Sequence, residues 1–113
     1  MGLHIEREGD VAIVVPKGMI RGGDDVDELE TDLRKLIYDD QKKILLDLKD
    51  TSSMSSMGIG VLASVHTSAV NRDVQLHICN IEKRIDHVLT IVKLTRVLNC
   101  FDTRDQAIAA FKD

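Results

Sequence analysis

The chain has 113 residues, 43% of them hydrophobic and 30% charged, with a net charge of −4. That is the balance of one small globular domain with a single core, and it excludes a disordered segment. Tyr38, Phe101 and Phe111 are the only aromatics, so the core must be aliphatic and base stacking has almost nothing to use.

In chain order, Leu3-His4-Ile5 alternates and predicts a short strand. Glu8-Gly9-Asp10 is turn chemistry, and Val11 to Val15 is a second apolar run, so the two should form a hairpin. Pro16 is expected to end it, because proline cannot donate to a ladder. Gly18 and then Gly22-Gly23 mark a loop. Asp24 or Asp25 can cap the next helix, whose apolar face is Val26, Leu29, Leu33, Leu36 and Ile37. Asp24, Asp25, Asp27 and Glu28 crowd its first turn, where the macrodipole favours negative charge. They suit either a well-capped solvated face or an acidic surface for a partner. Asp39-Asp40-Gln41 turns the chain, and Lys42 to Leu48 is the expected central strand, apolar without clean alternation.

The stretch from Asp47 to Leu62 organises the whole chain. It runs from the end of that strand, through a small polar turn rich in serine, into a helical pattern. Ile59, Leu62, Ala63, Val65 and Val70 are available for the helix's buried stripe. Backbone N–H groups at a helix start lack intrahelical partners and favour anions. Gly58 and Gly60 let another backbone approach this end. A serine there can cap the helix or carry a phosphate. After a turn at Asn71-Arg72-Asp73, Val74 to Cys79 alternates, with Val74, Leu76 and Ile78 on one face. Ile81, Ile85, Val88, Leu89 and Val92 predict a third helix stripe. Thr95 to Phe101 includes a short last strand. Thr103-Arg104-Asp105-Gln106 reads as a capping box, and Ala107, Ile108 and Phe111 as the inner face of the last helix. After the opening hairpin, strands and helices alternate. This predicts an α/β domain over residues 1–113, with a mixed, mainly parallel sheet of four to five strands and about four helices.

Charge and motif content narrow the function. Residues 1–50 carry eight basic and thirteen acidic side chains, a net of −5; residues 51–113 carry seven and six, a net of +1. That asymmetry argues against nucleic acid and suits a basic protein partner. No apolar run approaches the roughly 20 residues of a membrane span, so no membrane insertion is expected. There is no signal-peptide pattern, and two cysteines, Cys79 and Cys100, make no disulfide framework; a reduced cytoplasmic location is the economical expectation. Ser56-Met57-Gly58 supplies only half of a nucleophile elbow, and His66 is too close in sequence for the usual triad arrangement. The glycines do not make a P-loop. His77 and Cys79 share a strand face that should be polar, but with His4, His66 and His87 scattered they lack a third convergent metal ligand.

The central stretch resembles the STAS family, the sulfate transporter and anti-sigma factor antagonist domains. Their common form is an acidic residue, a few loop positions, then Asp-Ser-Ser/Thr-Gly-Leu-Gly-Val. Asp50 matches the first acid and Met54 the methionine often found before the motif. Ser56 matches the serine that family members have phosphorylated, and Gly58-Ile59-Gly60-Val61 the Gly-Leu-Gly-Val. Ser55 stands where the family usually has Asp, and Met57 where it has Ser or Thr. Further on, Val92-Lys93-Leu94 occupies the place of a Thr/Ser-Gly-Leu turn, and Met19-Ile20-Arg21 replaces the family's usual acid after an early glycine. The resemblance implies a regulatory binding protein without cofactor or metal, which is a substrate in its cycle and not an enzyme. Its partners would be a serine-kinase anti-sigma factor and a cognate serine phosphatase. Ser56 would be the phosphorylated residue, and Asp50, Met54, Ser55, Met57, Gly58, Ile59 and Gly60 the partner-binding ones. The same resemblance allows a partner switch in a non-transcriptional process, or a STAS subunit of a transport assembly.

Overall fold

A computed structural model describes residues 2–113. Strands β1 (Gly2–Glu8) and β2 (Val11–Ile20) form the expected hairpin, paired antiparallel from Gly2↔Lys17 to Glu8↔Val11. Pro16 does not end β2, which continues to Ile20. The reason lies in its neighbours. β2 pairs in parallel with β3 (Lys43–Asp47) only as far as Val14, and pairs again at Gly18, now with β4 (Thr51–Met54). Pro16 falls in the gap between these ladders, where no parallel neighbour needs its missing N–H. Gly18 has φ +87 at the register shift between it and Met19. It therefore forms a bulge inside the strand, in a conformation that L side chains rarely adopt, and not the loop expected.

The other strands add in one direction. β5 (Gln75–Cys79) pairs in parallel with β3, and β6 (Asn99–Phe101) with β5, so the order is β1-β2-β3-β5-β6 with β3 at the centre. Helices α1 (Asp24–Tyr38), α2 (Ser56–Asn71) and α3 (Lys83–Ile91) make the crossovers, and α4 (Arg104–Ala109) comes after β6. Right-handed crossovers that each step the same way must place their helices on one face. Accordingly Leu29, Leu33 and Ile37 of α1, Leu62, Val65 and Ala69 of α2, and Ile85 and Leu89 of α3 share one core with Val14, Ile44, Leu46, Leu76 and Ile78. The alternate strand residues Val11, Ile13, Val15, Leu45 and Cys79 face the other way, under Ala107 of α4 and beside Phe101, Ile108 and Phe111.

Several local expectations change. Among the described residues the sheet has six strands; the unexpected one is β4, whose Thr-Ser-Ser-Met sequence carries no apolar run. Gly23, and neither Asp24 nor Asp25, occupies the N-cap of α1, so the acids lie in the first turn itself. Val70, Val88 and Val92 are exposed, because a helix lying on a sheet buries a narrow stripe. Ala69, Ile85 and Leu89 fill that stripe. His77 does not lie on a polar face. It is buried, with Nδ1 2.9 Å from Ala107 O and its ring stacked on Phe111 at 3.9 Å. Burial lowers its pKa against the opposing pull of Ala107 O, so the neutral ring donates from Nδ1. Cys100 is opposite Ile78 in register and packs in the first core while Cys79 lies in the second. On opposite sheet faces, the two cannot bridge.

Candidate functional site: the start of helix α2

The site is built where β2, β4 and α2 meet. After β3 the chain turns at Lys49-Asp50, then lies beside the end of β2. Gly18 N donates to Asp50 O at 2.8 Å, Thr51 Oγ1 to Pro16 O at 3.1 Å, and Ser55 N to Ile20 O at 2.8 Å. Met19 pairs with Ser53 and Ile20 with Met54 in the ladder. Four residues of polar strand thus fasten the start of α2 to the end of β2.

Ser55, not Ser56, is the N-cap: its Oγ accepts from Gly58 N at 3.3 Å, and its backbone is extended. Serine and aspartate serve equally well at this position. The residue found where the STAS pattern has Asp therefore keeps the capping role while removing a negative charge. Ser56 becomes the first helical residue, exposed, at a helix start with no acid in its first turn. The leading N–H groups of a helix have no intrahelical acceptor, and with the dipole they favour an anion at this serine.

The other hydroxyls of the stretch are less available. Thr51 Oγ1 is buried in its bond to Pro16 O, Ser53 Oγ is buried without a partner among the described residues, and Ser55 Oγ is occupied as the cap. Of the residues from Thr51 to Ser56, only Ser52 and Ser56 are exposed.

The eight residues singled out from sequence divide by burial. Asp50, Ser56, Met57 and Gly60 are exposed; Met54 and Ser55 are half-buried; Gly58 and Ile59 are buried. The two glycines also differ. A Cβ on Gly58 would stand 2.7 Å from Met54 Cγ and 3.2 Å from Ile20 Cγ2, whereas one on Gly60 would meet nothing within 4 Å. Gly58 lets α2 approach β2, and Gly60 leaves open surface. Met57 is 59% exposed and Met19 48%. Met57 Sδ lies 3.5 Å from the position of a Cβ on Gly22, so the loop after β2 joins this surface. Met19 and Gly22 have no place in the sequence motif. The available signal is weak: an apolar residue directly after a glycine in a presumed loop.

A buried ionic group supports the turn from behind. Asp47, at the end of β3, is 0% exposed. It accepts from Lys49 N at 3.0 Å, Asn80 Nδ2 at 3.0 Å and Arg104 Nε at 2.9 Å. Arg104 also reaches Glu6 Oε1 at 2.9 Å, tying α4 to β1. Burial pushes the Asp47 carboxyl up, but Asn80, the Lys49 N–H and Arg104 outweigh it and hold it below its ordinary range. The carboxylate fixes the Lys49-Asp50 turn from which β4 departs. In the sequence it is one acid inside an apolar run.

The family model described as STAS domain matches residues 4–107. A Thermotoga maritima protein assigned as an anti-sigma factor antagonist has TM-score 0.87 and 19% identity over 95% of this chain and 92% of its own. An anti-sigma factor antagonist from Mycobacterium paratuberculosis has TM-score 0.86 and 18% identity over 99% and 94%. The Bacillus cell fate determinant SpoIIAA in its phosphorylated form has TM-score 0.74 and 14% identity over 96% and 97%. At these identities the likeness is one of fold. No helix among the described residues is long and apolar enough to cross a membrane.

Proposed function

Because this chain belongs to the STAS domain family, we propose that it works as an anti-sigma factor antagonist in a partner-switching cycle. Unmodified, it binds a serine-kinase anti-sigma factor through the exposed start of α2 and so frees the sigma factor. The kinase phosphorylates Ser56, which ends the interaction, and a serine phosphatase restores it. The chain is a cytoplasmic substrate in this cycle and not a catalyst.

The observation that carries the proposal is the placement of Ser56. It is an exposed hydroxyl at the first residue of α2, beside exposed Met57 and open Gly60. Met57 and Met19 offer adaptable apolar contact, while Gly58 and Ile59 hold the helix beneath that surface. Phosphate adds nearly two negative charges. In a contact that excludes water, those charges lack partners and repel the complex.

Recovery of the chain from its own cells, with phosphopeptide mapping, tests the assignment. Phosphate on Ser56, with a kinase co-purifying only with the unmodified form, is expected. Phosphate confined to Ser52 refutes the acceptor. Co-purification with a permease or transport ATPase in place of a kinase refutes the cycle.

A further inference from the structure

A concavity lies at the carboxyl ends of β3, β5 and β6, and Ser56 is not among the residues that line it. It encloses about 800 Å³. Here the floor is prepared by the Asp47 group. Asp47, fully buried, fixes the backbone of Lys49 and the side chain of Asn80, and both residues line the crevice. Asn80 is itself held at φ +55. The proposed partner switch uses neither the crevice nor this held asparagine.

The walls carry charge of both signs. Lys49 and Lys83 supply the cations, Asp86 and Asp102 the carboxylates. None of the four makes an ion pair among the described residues. Ile81 and Phe101 add apolar surface to the lining, both half-buried. A single anion would meet the two carboxylates, and a single cation the two lysines. A molecule that carries both charges and an apolar part satisfies the whole lining.

We propose that this crevice binds a small zwitterion of the amino-acid and short-peptide class. Its carboxylate goes to Lys49, its ammonium to Asp102, and its apolar side chain to Ile81 and Phe101. The proposal requires neither phosphorylation of Ser56 nor a kinase, so it stands or falls apart from the cycle above.

The test is a titration of the isotope-labelled full chain, read by amide NMR. The probes are free L-leucine and the dipeptide Leu-Leu, with acetate and methylammonium as singly charged controls. Saturable shifts confined to the amides around residues 47–50, 80–86 and 99–102 are expected with a zwitterion and not with either control. Lys49→Met and Asp102→Asn should each weaken binding about tenfold, as loss of a charge-assisted contact does. Both positions are exposed, so thermal melts should show folded variants. No saturable shift with either probe overturns the proposal. So does equal binding of acetate, or affinity unchanged in both folded variants.

Discussion

Gly58→Ala and Gly60→Ala lie two positions apart on one helix and should change stability differently. In a helix interior, alanine is worth about 1 kcal/mol over glycine. At Gly60 nothing lies within 4 Å of the added Cβ, so the variant should gain about that amount. At Gly58 the added carbon meets Met54 Cγ at 2.7 Å, Ile20 Cγ2 at 3.2 Å and Ile20 O at 3.4 Å. Met54 is half-buried and can move. Ile20 is 0% exposed and its carbonyl holds Ser55 N. Overpacking of this kind costs about 1–3 kcal/mol, which cancels or exceeds the helix gain. Gly58→Ala should therefore lose about 0–2 kcal/mol, leaving a gap of about 1–3 kcal/mol between the variants. In a domain of this size that gap corresponds to roughly 4–12 °C in Tm. Urea melts at matched m-values measure it. Equal gains from both alanines would refute the division of roles between the glycines.

Three other substitutions probe the switch, the buried ion pair and the turn after α3. Ser56→Asp should bind the partner kinase much less tightly than Ser56→Ala by calorimetry, since one unpaired charge in a desolvated contact costs several kcal/mol; equal binding would remove Ser56 as a charge switch. Asp47→Asn should cost about 1.5–3 kcal/mol at neutral pH, because the buried group loses its charge-assisted bond to Arg104, which keeps only Glu6 as an anionic partner. In the parent, Asp47 has a depressed pKa, so its stabilisation is full above the unfolded carboxylate value of about 3.9 and falls as pH drops through the lower folded value. The variant should lack that part of the acid-side loss in urea melts taken across this window. Lys93, just past α3, has φ +65. A left-handed lysine costs about 1–2 kcal/mol, and glycine gives back about 0.5–1 kcal/mol through its freer unfolded chain. Lys93→Gly should thus stabilise the fold modestly, and a loss in a thermal melt would show that the lysine side chain makes a needed contact.

The elements with strong periodicity were legible in the sequence. α1 shows Val26, Leu29, Leu33 and Ile37 at helical spacing, and all four are buried. Val74, Leu76 and Ile78, at and just before β5, alternate onto one face and all join one core. β4 was invisible because its stability comes from pairing with the far end of β2, and local pattern reports little of that. The same non-local pairing explains why Pro16 failed as a stop. At the site, the small polar turn before α2 was legible, but which serine caps and which is free was not. That depends on a turn fixed by Asp47, and Asp47 is fixed by Arg104, 57 residues away. His77 looked polar by type, and Phe111 stacked on it, with Phe101 beside it, makes its surroundings apolar.

The gap between the two ladders on β2 has a consequence for motion. β3 and β4 hold β2 through separate sets of bonds, with Val15 to Lys17 unpaired to either. The β4 ladder spans only the stretch from Gly18 to Ile20. It can therefore open as a small unit while the β1-β2-β3-β5-β6 ladders stay closed, at a free energy well below that of global unfolding. Amide exchange would separate the two regimes, with Gly18 and Ser55 N–H exchanging by the local route and the amides of Leu45 and Leu46 only by the global one.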